Sequence, residues 1–214
     1  MNVKKFSVLA LTPESEGQLY AIQFSDQPVN ELERWRIFFS DSEQLKSELT
    51  KRGKELIRDN HDPELILQKA LSEGNKFIGL FEEAAKAGDF SSVLQWKDFE
   101  KGLEDEFYQK KGESLKTIYA GPKEKEIFEN RIGDLVEYDT SHCRLFGLKY
   151  EDDTLVIIGG CLKTTRSLQK SDFTRNVPAS IRAIAEVFSF NEVIWANFNG
   201  TDFELTPEDY EEDA

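Results

Sequence analysis

The chain has 214 residues, 39% of them hydrophobic, with 16 phenylalanines. That apolar content is enough for a core without disulfide staples and argues against a disordered chain, although 32% of the residues are charged. The formal charge of -14, from 41 acidic and 27 basic residues, argues against general nucleic-acid binding, so any contact with a polyanion has to rest on a local basic patch.

The first predicted elements are strands at 3–11 (VKKFSVLAL) and 19–25 (LYAIQFS), joined by turn residues into a hairpin. The start has too short an apolar run before charge for a signal peptide, and no later run is long enough to cross a bilayer; the expected setting is cytoplasmic, with no membrane partner. Asn30 with Glu33 resembles a capping box and opens a helix with Trp35, Phe38 and Phe39 close to one face. Ser40-Asp41-Ser42 breaks it, and a second helix follows with Leu45, Leu49, Leu56 and Ile57 as its stripe.

Asp62 before Pro63 predicts another helix start. From there to residue 111 the pattern reads mostly helical. Leu65, Ile66, Ala70 and Leu71 form the first predicted buried face, continued by Phe77, Leu80, Phe81, Ala84 and Ala85. A further helix after Asp89 would carry Val93, Leu94, Trp96, Phe99 and Leu103. Residues 115–121 read as a strand or a loop, and 123–132 as a short helix or an irregular stretch. Three strands then follow within IGDLVEYDT, SHCRLFGLKY and TLVIIGGCL, spaced as an antiparallel meander. Pro178 opens a helix to about Phe188. The segments 192–198 and 201–205 around Asn199-Gly200 predict a last hairpin, and 201–214 is an acidic tail.

This order predicts one elaborated α+β domain over 1–214 with an antiparallel, or mixed, sheet. Within it, 30–111 is the mainly helical elaboration and 115–190 the strand-rich part with its helix. With a loop at 151–153, Cys143, Leu145, Gly147 and Lys149 share a face with Leu155, Ile157, Gly159 and Cys161. Arg144, Phe146, Leu148 and Tyr150 share the other with Val156, Ile158 and Gly160. Both faces are largely apolar, so this hairpin belongs at the centre of its sheet. Cys143 and Cys161 read as buried reduced thiols. The absence of CxxC and HExxH argues against structural zinc, and no metal or cofactor is expected.

Beyond the second strand of the hairpin, Lys163, Arg166, Lys170, Arg175 and Arg182 meet a single carboxylate, Asp172. Such a cluster either clamps a phosphate or is an ordinary solvated strand exit, and clusters of this kind are more often the latter. The segment CRLFGLKYEDDTLVIIGGCLKTTRSLQK, within about 132–186, resembles the C-terminal strands of the RelE/ParE toxin superfamily, nearest its phage-derived and HigB-like branch. Arg144 and Phe146 match the first strand, and 155–170 match the second with its lysine-rich exit. The resemblance implies a small sheet packed on helices and a ribosome-dependent mRNA endonuclease. In that chemistry the RNA 2′-hydroxyl attacks the adjacent phosphate without a metal. Arg144, Lys163 and Arg166 would then be catalytic and Lys170 and Arg175 would bind RNA phosphate, with RNA or the ribosome and an antitoxin-like protein as partners.

His142 precedes the first matched strand, so no proton-transfer group is assigned. The alternative is a non-enzymatic protein-interaction member of the same fold, built on the sheet and the extra helices. The nuclease reading requires the cations to gather in one groove.

Overall fold

A computed structural model describes residues 4–90, 97–98, 134–139, 142–150, 153–165, 168–191, 193 and 197–205. The predicted helical residues Val93, Leu94, Trp96, Phe99 and Leu103, the segment 115–132, Arg166 and the tail from 206 lie outside them.

Strands β1 (Phe6–Ala10) and β2 (Gln18–Phe24) pair antiparallel as the predicted hairpin, with Phe6 opposite Phe24. Helix α1 (Glu31–Ser40) starts where the Asn30 carboxamide accepts the Glu33 N–H at 3.0 Å, and Glu31 and Glu33 add negative charge to the positive end of the helix dipole. Asp41 then leaves the helical region and caps α2 (Ser42–Lys51), its carboxylate accepting the N–H groups of Glu43 and Gln44. A short α3 (Gly53–Arg58) follows. Asp62 and Pro63 open α4 (Pro63–Ala87), which ends at Gly88 in the left-handed conformation, φ 65°.

The sheet has the order β3-β4-β5-β6-β2-β1-β7, where β3 is Lys97–Asp98, β4 Asp134–Asp139, β5 Cys143–Tyr150, β6 Thr154–Leu162 and β7 Phe203–Leu205. β4, β5 and β6 form the expected antiparallel meander. The sheet is mixed because β2 pairs parallel with β6, Tyr20 lying opposite Val156. Helix α5 (Val177–Phe190) covers one face: Phe188 stacks on Phe6, and a Cβ at Gly159 would fall 2.8 Å from Ile181 Cδ1. Helices α1 and α4 cover the other, where Trp35 lies over Gly160. With both faces covered, every residue of β5 is buried.

Four expectations need correcting. At the predicted last hairpin Asn199 does not take the positive φ of a type I′ turn, and β7 pairs antiparallel with β1, far away in sequence; residues 192 and 194–196 of the other predicted strand lie outside the described residues. Residues 97–98, read as helical, are strand, because they pair with the open edge of β4. A bulge opposite Phe146/Gly147 inserts Ile158, so Leu145 lies opposite Gly160 and Arg144 opposite Cys161. The predicted face pairing therefore holds only from Gly147 to Tyr150. Finally, the helical stripes hold at Leu45, Leu49, Leu56, Ile66, Ala70, Phe81, Ala84 and Ala85, which are buried, but fail at three positions. Ile57 is 82% exposed because the helix breaks at Arg52, and on α4 Leu65 and Leu80 are exposed while Leu67 and Ile78 are buried.

Candidate functional site

The sequence places five cations around the exit of β6, and the structure distributes those it describes. Arg144 shares the β5 face of Phe146. It is 5% exposed, and its Nη1 donates to the Cys143 carbonyl at 2.9 Å. Lys163, half-buried, donates its backbone N–H to the His142 carbonyl at 2.7 Å, just past the end of β6. Lys170 closes a 3-10 turn (Leu168–Lys170) and is exposed, and its carbonyl accepts from Arg58 Nη2 at 3.3 Å. Its charge is one of those that hold the Asp59 carboxyl below the usual range, after the hydrogen bond and charge of Arg58. Arg175 is exposed and pairs with Asp172 at 3.3 Å. Arg144 is thus buried in a central strand, whereas Lys170 and Arg175 are exposed.

The exit is tied down by residues that the sequence reading did not single out. Arg52 falls in the stripe 45, 49, 52, 56, at a position where an apolar residue is expected. Its Nε and Nη2 donate to Glu48 Oε1 at 3.0 and 2.7 Å. Nη1 donates to the Leu162 carbonyl at 2.8 Å and to Thr164 Oγ1 at 3.4 Å, and the guanidinium lies 4.9 Å from the Phe173 ring centre. Burial works to raise the Glu48 carboxyl, but the hydrogen bonds and charges of Arg52 and Lys51 overcome it and hold the group below its ordinary value. One turn on, buried Glu55 accepts from Ser171 Oγ at 2.8 Å and from the Asp172 N–H at 2.7 Å. Thr174 Oγ1 closes the turn on the Leu168 carbonyl at 2.7 Å. The sequence signal was present: charged residues at 48, 52 and 55 lie on one helical face at a spacing that a solvated surface does not require.

His142 also acquires a place that its position in the chain concealed. Its Nδ1 lies 3.1 Å from the Lys163 carbonyl, which can only accept, so Nδ1 carries the proton and Nε2 holds the lone pair of the neutral ring. Burial pushes the imidazole below its usual range. The bond to Lys163 and the charge of Glu73 oppose this, while Lys69 and His61 add to it. The neutral ring is therefore favoured in the fold, whereas the unfolded chain takes up a proton near the ordinary histidine value. The contribution of His142 to stability is full above that value and is lost as pH falls through the lowered one. Melting temperatures measured from pH 8 down to about 5 should fall less steeply for His142→Gln than for the unmodified protein; parallel curves would exclude this linkage.

Among the described residues no group of three or more His, Cys, Asp or Glu is arranged to hold a metal ion, and no helix is long and apolar enough to cross a membrane. Both cysteines are buried thiols outside any disulfide. Comparison of the chain with protein-family models, with curated proteins and with solved structures finds no match.

Proposed function

We propose that this chain is a non-enzymatic protein-interaction protein in which the sheet serves as a scaffold for the helical layer. The observation that carries this reading is the position of Arg144. The RNA-cleaving alternative needs Arg144, Lys163 and Arg166 around one phosphate, and Arg144 is buried, its Nη1 bonded to the Cys143 carbonyl. Electrostatic stabilisation of a developing charge needs donors aimed at a point that substrate can reach. Internal carboxylates supply the other support: Asp172 takes Arg175, and Glu55 holds the turn between Lys170 and Arg175. On the helical layer, Ile57 at 82% and Leu65 at 48% exposure are apolar groups available to a partner.

The test is RNA binding and cleavage by the purified chain, alone and with ribosomes, beside the double variant Lys163→Ala/Lys170→Ala. Neither protein should cleave RNA, and their weak affinities should agree within about twofold, since one half-buried and one exposed charge on a strongly acidic protein contribute little. Cleavage by the unmodified chain that the double variant abolishes would replace this reading with the toxin-type nuclease.

A further inference from the structure

Away from the β6 exit, a cavity of about 340 Å³ opens where the β1–β2 hairpin, the first turns of α1 and the last turns of α4 meet. The size lies at the small end of the roughly 300–1,000 Å³ typical of ligand sites. Leu11, Leu19 and Leu32 supply its apolar lining, and Leu19 and Leu32 belong to the core, so that wall is rigid. Thr12 and Asn30 add neutral polar groups, and four charged side chains complete the lining: Glu33, Arg36, Glu82 and Lys86.

These charges fall into two unequal groups. Arg36 bridges both glutamates, Nη2 to Glu82 Oε1 and Nε to Glu33 Oε2, the latter at 3.5 Å. One cation between two carboxylates leaves that trio with a net negative charge, and neither Glu33 Oε1 nor Glu82 Oε2 takes part in these two bridges. Lys86, in the last turn of α4, is exposed, and no described residue pairs with its ammonium. A negative trio and a lone positive group thus share the rim of one leucine-lined hollow.

We infer that this cavity binds a small zwitterion with an apolar body, the chemistry of an aliphatic α-amino acid. The ligand carboxylate meets Lys86, its ammonium meets the Glu33–Arg36–Glu82 trio, and its side chain lies against the three leucines. A ligand with one charge satisfies half of the rim and leaves the opposite charge unmatched, so the site discriminates against simple acids and amines. This assignment is independent of the protein-interaction reading and stands or falls without it.

The test is a titration of the isotopically labelled full chain with L-leucine, followed by amide chemical shifts. Isocaproate, which lacks the ammonium, and isoamylamine, which lacks the carboxylate, serve as probes of each half. L-leucine should give saturable shifts centred on the hairpin, the start of α1 and the end of α4, with each analogue about tenfold weaker, as expected for one lost charge-assisted contact. Lys86→Gln should weaken L-leucine by a similar factor while leaving isoamylamine unchanged, a split that a general structural defect does not produce. The assignment is overturned by an absence of saturable shifts, by analogues that bind as well as L-leucine, or by L-leucine binding that survives Lys86→Gln intact.

Discussion

Arg52→Ala should lower the unfolding free energy by about 3–5 kcal/mol, the range found when one member of a buried ion pair is removed. The change strips the Leu162 carbonyl of a donor at the end of a central strand and leaves Glu48, 20% exposed, without its main counter-charge. It also removes the cation over Phe173, leaving Glu55 to tie the turn at 171–174 to α3. Both ends of the exit from β6 loosen together.

The Glu48 carboxyl should rise in the variant, since burial still raises it and the hydrogen bond and charge of Arg52 are gone, leaving those of Lys51 to oppose it. Its folded value in the unmodified protein is depressed, so the stability it contributes is present above the ordinary carboxylate range and is lost as pH falls through the lowered value. Denaturant unfolding of Arg52→Ala, Glu48→Gln and the double variant measures the effect as a cycle, with a coupling of about 0.5–3 kcal/mol between the two residues. A single Arg52→Ala variant within about 1 kcal/mol of the unmodified protein would mean that the Arg52 contacts are not a significant source of stability.

Gly160→Val should be comparably damaging for a different reason. A Cβ at this position falls 2.7 Å from Trp35 Cε2 and Nε1 and 2.8 Å from the Arg144 carbonyl oxygen. One neighbour is backbone of a paired central strand, and the other is an indole whose Nε1 donates to buried Glu31 Oε2 at 3.1 Å. Relief by moving Trp35 breaks that bond, while relief by moving β5 disturbs the ladder. Overpacking and the loss of a hydrogen bond to a carboxylate together predict a loss of about 3 kcal/mol or more. Gly53→Ala provides the contrast, because nothing lies within 4 Å of a Cβ at the start of α3, and the change should be neutral or stabilising by up to about 1 kcal/mol. Similar losses at both glycines would point to a general intolerance of substitution and not to the contact between Trp35 and β6.

The sequence by itself determined the local features. Asn30, Asp41 and Asp62 start helices because each reaches N–H groups two or three residues ahead, an interaction complete within one turn. The two hairpins and the apolar character of β5 and β6 were legible for the same reason: turn residues and adjacent runs carry them.

The tertiary structure decided everything that depends on partners distant in the chain. The parallel pairing of β2 with β6 and the docking of β7 on β1 are settled by backbone hydrogen bonds between remote segments, and the one-residue bulge at Ile158 by ladder geometry within a hairpin; none leaves a periodic mark. The β5–β6 pairing brings His142 to Lys163, and the covered sheet buries Arg144, while the break of the helix at Arg52 turns Ile57 outward and the guanidinium in. A residue type shows what a side chain can bond to. Whether it meets solvent, a carboxylate or a ligand depends on which face of the sheet it occupies and what packs there, and a single inserted residue changes that face.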